Sequence, residues 1–84
     1  MYFDVIDVKP ISSHGLHVQF KDGLKGKVIF LPSFFRGVFS PLKDKNQFNK
    51  VHLIDGVVTW EGELDLAPDA MHESIKKHGE WILD

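Results

Sequence analysis

The sequence predicts an α+β domain: a mostly antiparallel sheet with helices packed on one face, in the order β-β-β-α-β-β-α. Three observations lead there. Two Asp-Gly pairs, Asp22-Gly23 and Asp55-Gly56, each divide a pair of β-rich runs, and such pairs tolerate the positive φ of a tight hairpin turn. Pro32 and Pro68 each open a segment with helical apolar spacing, where a proline suits the first helical position. Short strands come first and the longer helical pattern comes late, which favours α+β over alternating β/α units.

Taken in order, residues 2–11 are rich in β-branched and aromatic residues and are expected to form a strand that stops at Pro10, which cannot donate to a ladder. In residues 16–20, Leu16, Val18 and Phe20 point to one face and His17 and Gln19 to the other. Residues 24–30 return with Leu24, Val28 and Phe30 inward and Lys25 and Lys27 outward. Leu31, Phe34, Phe35 and Val38 then have the spacing of a short helix, limited by Gly37 and Pro41, whose phenylalanines plug one face of the sheet. Residues 43–50 read as a polar loop pinned by Phe48. A second hairpin, residues 50–54 and 57–60, precedes a helix over 68–78 with Met71, Ile75 and His78 along one stripe and Gly79 as its stop.

Eighty-four residues make one domain, 1–84, and a chain of this size hides only roughly 60–65% of the surface its unfolded form exposes. The 43% hydrophobic content, with seven Phe and two Trp, argues against disorder. No apolar run approaches the roughly 20 residues of a membrane helix, and the N-terminus has acid where a signal peptide has base. With no Cys there is no disulfide framework and no thiolate chemistry, so a cytoplasmic protein is expected. The net charge of −2 is too mild to announce nucleic acid or membrane. Its distribution is uneven: residues 1–50 hold eight Lys/Arg against four Asp/Glu, and residues 51–84 two against eight. This means either a basic and an acidic face or, as small antiparallel folds favour, two halves interleaved in one sheet.

The stretch WEGELDLAPDAMHES, residues 60–74, gathers Glu61, Glu63, Asp65, Asp69 and His72. As metal or acid–base chemistry it offers Asp65, Asp69 and His72, with Asp69 and His72 sharing a helix face. A structural job accounts for each carboxylate more simply. Asp69 meets the unpaired N–H groups of the first helical turn, Asp65 is placed to bond amides of the turn leading into it, and Glu61 and Glu63 flank Gly62 in a solvated turn. No cofactor and no enzymatic activity are expected. Ser12 and Ser13 have no base partner at a known spacing, and His14 and His17 would point to opposite faces of a strand. Gly15, Gly23 and Gly26 lie in hairpins and open no helix, so they make no phosphate cradle. Lys21, Lys25 and Lys27, with Arg36, are the candidates for nucleic-acid contact, although lysines that keep a solvated edge from aggregating explain them too. In the tail, Trp81, Ile82 and Leu83 follow the helix stop. They either fold back onto the core or, exposed, anchor a partner or a second copy.

FKDGLKGKVIF, then GVFSPLKD, then VHLIDGVVTWEGELDLAPDAMHE together resemble the bacterial family of unknown function DUF2442, over roughly residues 3–75. The most specific pieces are Trp60, Gly62 and the run Asp65-Leu66-Ala67-Pro68-Asp69, with the step Gly37-Val38-Phe39 and Pro41-Leu42. Glu61 departs from the Pro or small polar residue that the family usually shows after the Trp. The resemblance implies a small α+β fold and brings no activity or catalytic residues. Some longer members resemble a fusion to a C-terminal helix-turn-helix; no such segment is seen through Asp84, so DNA binding by that route is not expected. Other members are encoded beside another small uncharacterised protein, an arrangement similar to toxin–antitoxin pairs, which suits a protein that works through a partner. The leading expectation is therefore a non-enzymatic module that binds a protein, toxin-like partners included, or itself. A nucleic-acid-associated regulatory component comes second and a small metal-dependent enzyme third.

Overall fold

A computed structural model describes residues 3–11, 14–62 and 64–84. The readings of Tyr2 in the first strand, of Ser12 and Ser13, and of Glu63 in its turn lie outside these residues. The fold class is as the sequence predicts: α+β, mostly antiparallel. The strands divide between two sheets. The first has the order β1 (Val5–Ile11), β2 (Gly15–Phe20), β3 (Lys25–Phe30) and β7 (Glu80–Leu83); the second joins β4 (His52–Ile54), β5 (Val57–Trp60) and β6 (Leu64–Asp65). Helix α1 spans Lys45–Phe48 and α2 spans Pro68–His78.

The first hairpin follows from its alternation. Leu16, Val18, Phe20, Val28 and Phe30 are buried, and Lys25 and Lys27 are exposed. The Asp22 Oδ1 accepts from Leu24 N–H at 3.0 Å across the turn, where Gly23 has φ +95°. The second turn needs positive φ at both central residues, +52° at Asp55 and +80° at Gly56, and the Asp-Gly pair supplies it. β1 does not stop at Pro10 but runs through it to Ile11. As the outer strand of its sheet, β1 can spare one ladder donor.

Between the hairpins the structure departs from a single short helix. Pro32–Phe34 and Gly37–Lys43 are two 3-10 turns, broken at Arg36 and entered through Gly37 at φ +57°. The break turns Val38 outward, 70% exposed, whereas Phe35 is buried. The polar loop contains a single helical turn, α1, because the Asp44 side chain caps it by accepting from Asn46 N–H at 2.9 Å. Phe48 does pin this segment, fully buried.

One core serves both sheets. Phe30 stacks on Phe35 and meets Phe48 and Trp60 edge-on, and the Trp60 indole N–H donates to the Phe48 carbonyl at 2.9 Å. His14, at φ +58° just before β2, closes the cluster: its ring lies against Phe35 and Phe48, and its Nε2–H donates to the Lys43 carbonyl at 2.9 Å. Helix α2 lies on the inner face of the first sheet, with Ile75 over Gly26. Its apolar stripe is Met71, His72 and Ile75, not Met71, Ile75 and His78; His78 is exposed in the last turn, and Gly79 closes the helix at φ +79°.

Candidate functional site

Asp69 and His72 share α2, yet each side chain is committed elsewhere. Asp69 accepts from Ala70 N–H at 2.9 Å, satisfying a first-turn amide. Asp65 is not part of the helix start; it ends β6 opposite Thr59. His72 reaches across to the β2–β3 turn, where its Nε2 lies 2.7 Å from Asp22 Oδ2. A carboxylate only accepts, so Nε2 carries the hydrogen. The ring is wedged edge-on against Phe20 and Phe3. Among the described residues, no group of three or more His, Asp or Glu side chains is placed to hold a metal ion.

Asp22 was legible only as a turn residue, and its partnership with His72 spans fifty positions. No sequence signal marks it. The pair has the parts of an acid–base dyad, but the carboxylate is already engaged by Leu24 and the imidazole is nearly enclosed. It acts as a clasp that ties the hairpin turn to α2. The Leu24 N–H first, then the His72 side chain, holds the Asp22 carboxyl below its usual 3.8. A lowered folded-state value means that this stabilisation is present above the unfolded value and is lost as pH falls through the folded one. Urea midpoints of the wild type and Asp22→Asn are therefore expected to differ at about pH 6, wild type higher, and to converge only as the pH falls well below 3.8, through the lowered folded-state value. A gap that persists at the acid end would show that the carboxylate's charge is not what the clasp uses.

The basic candidates separate. Lys25 and Lys27 share the outer face of the first sheet, where Lys27 lies opposite His17 and His17 opposite Lys9. The row ends at Glu80 of β7, opposite Lys27, and Lys9 also lies 3.9 Å from the Asp7 carboxylate. Lys21 sits in the β2–β3 turn, while Arg36 lies beyond the other end of β3, between the 3-10 turns. The outer face carries no Phe, Tyr or Trp among the described residues on which a base could stack.

The tail residues form β7, parallel to β3. Both fates expected of them occur, by alternation. Trp81 and Leu83 turn inward opposite Val28 and Phe30 and pack on the core, and Ile82 turns outward, 51% exposed, beside Ile29. The strand also joins acidic second-half residues to the basic first-half sheet, so the two halves do interleave here, with Glu80 opposite Lys27. The Lys27 N–H bonds to the Gly79 carbonyl and the Leu31 N–H to the Leu83 carbonyl. Odd-numbered residues of β7 therefore aim their backbone groups at β3, and Glu80 and Ile82 aim theirs at the open side.

Compared with known proteins, residues 5–77 match the family model for proteins of unknown function DUF2442. The chain belongs to this family. No curated protein and no solved structure matches it. The DUF2442 match takes in both hairpins and nearly all of α2, and it stops short of β7. Inside it, the stretch from Trp60 to Asp69 has an architectural role: Trp60 joins the sheets, Gly62 adopts φ +85°, Pro68 opens α2, and Asp69 satisfies its first turn. No helix of the described DUF2442 chain is long and apolar enough to cross a membrane.

Proposed function

We propose that this chain is a non-enzymatic protein-interaction module whose contact surface is the open edge of β7. The observation that carries this reading is the backbone of Ile82, which turns away from β3 while its side chain stands half exposed. An unpaired edge is a template for a further strand. The lack of Cys suits an encounter in the reducing cytoplasm. Nucleic-acid contact is the second reading, favoured by the row of Lys9, His17 and Lys27 with Lys25 beside it. It predicts an association that nuclease treatment abolishes, which protein docking at the edge does not.

Ile82→Pro tests the edge. The Ile82 N–H does not face β3, so proline there removes no ladder bond, and Trp81 is already extended as a pre-proline residue must be. Capture from nuclease-treated host lysate is expected to retain a stoichiometric protein with the wild type and to lose it with Ile82→Pro, both proteins melting cooperatively. Capture that is unaffected by the proline, or that disappears with nuclease, would overturn the reading.

A further inference from the structure

The two edges of the four-stranded sheet are treated differently. β1 is blunted by Lys9, by Pro10 and by a bulge between Val5 and Asp7, and its start is bonded to the second hairpin through Val5 N–H and the Gly56 carbonyl at 2.9 Å. These are the devices that keep an edge from recruiting another strand. β7 has none of them: no proline, no lysine and no bulge. Its outward side chains are Glu80 and Ile82, and by the two-residue period of a strand the exposed Asp84 falls on the same side. Part of the edge is already covered, since Ser74 of α2 donates its hydroxyl to the Glu80 carbonyl at 3.1 Å. Among the described residues, the backbone groups of this edge left without a partner are thus centred on Ile82.

Resting on the reading of β7 as the contact surface, we infer that the partner is an extended segment of another protein that adds antiparallel to β7, with a β-branched residue opposite Ile82 and a Lys or Arg two residues to either side. The pattern follows from the geometry. Residues directly opposite in an antiparallel pair share a face and sit close enough for their side chains to interact. An acid–x–apolar–x–acid edge therefore selects base–x–apolar–x–base. The apolar row Ile11, Gly15, Ile29 and Ile82 runs across the outer face to this edge, so a β-branched residue opposite Ile82 extends it. A second copy of this chain is disfavoured by the same charges. Two β7 strands paired about Ile82 would set Glu80 of each against Asp84 of the other, and like charges opposite one another repel.

Two capped synthetic peptides, TKTVTKT and TETVTET, test this by titration into the isotope-labelled full chain, with the Ile82 amide resonance as the readout. The basic peptide is expected to shift the Ile82 amide and to bind about ten-fold tighter than the acidic one at low salt, the ratio shrinking in about 0.5 M NaCl. Glu80→Gln combined with Asp84→Asn should abolish the preference while leaving the fold intact. Equal binding of both peptides would overturn the charge selection. Concentration-dependent broadening at Ile82 without peptide would show that a second copy is the occupant, and overturn the inference. If neither peptide binds while lysate capture still depends on Ile82, the inference fails and the interaction module stands. If capture is also indifferent to Ile82→Pro, both fail.

Discussion

Trp60→Ala is expected to cost about 3–5 kcal/mol, the range for removing a large buried aromatic side chain. A domain of this size has a total stability of about 4–13 kcal/mol, so the variant should be largely unfolded in mild urea or at modest temperature. The reason is the position of Trp60 between the two sheets. Its ring meets Phe30 of the first sheet and Phe48 of α1, and its N–H satisfies the Phe48 carbonyl. Trp60→Phe separates the two contributions. It keeps much of the ring volume and removes one of two donors to the Phe48 carbonyl, which still accepts from Val51 N–H, for an expected loss of about 0.5–1.5 kcal/mol. Urea midpoints for the series decide it. A loss below about 1 kcal/mol for the alanine variant would mean that the sheets do not share one core.

Gly26→Ala should destabilise by about 1–3 kcal/mol although it adds only a methyl group. A Cβ at this position would lie 2.4 Å from Ile75 Cγ2 and 2.9 Å from the Gly79 carbonyl oxygen. The first neighbour is a side chain and can shift; the second is backbone at the end of α2 and cannot without lifting the helix. Ile75→Ala alone should cost about 2–5 kcal/mol through the cavity it leaves. The double variant should therefore lose less than the sum, because truncating Ile75 relieves half of the clash. Strict additivity in a double-mutant cycle would contradict the packing of α2 against β3. Displacing α2 would also disturb β7, whose Glu80 carbonyl is held by Ser74, so Gly26→Ala should weaken any binding at that edge as well.

Both predictions turn on partners distant in sequence, and that is where sequence and tertiary structure divide. The hairpins were legible because their determinants are local: alternation at Leu16, Val18 and Phe20, and positive φ at Asp55 and Gly56. So was the close of α2 at Gly79, where only a residue without a Cβ enters the left-handed region freely. The segment from Pro32 to Lys43 was misjudged as one helix because the spacing of Leu31, Phe34, Phe35 and Val38 suits a helix, while the left-handed Gly37 and the packing of Phe35 on Phe30 favour tighter turns.

For the candidate site, the sequence singled out Trp81, Ile82 and Leu83 as anomalous but held nothing to say which of them would be exposed. β3 decided that by offering a free edge to a parallel strand, a pairing that no local pattern encodes. Likewise His72 was visible as a polar residue on a helix, and its grip on Asp22 was not. By itself the sequence determined the class of fold, the two Asp-Gly turns and the bounds of α2, because backbone sterics and side-chain period act over a few residues. Only the tertiary structure decided how the strands were shared between two sheets, what His72 holds and which edge lies open, because those depend on which surfaces meet after the chain has closed.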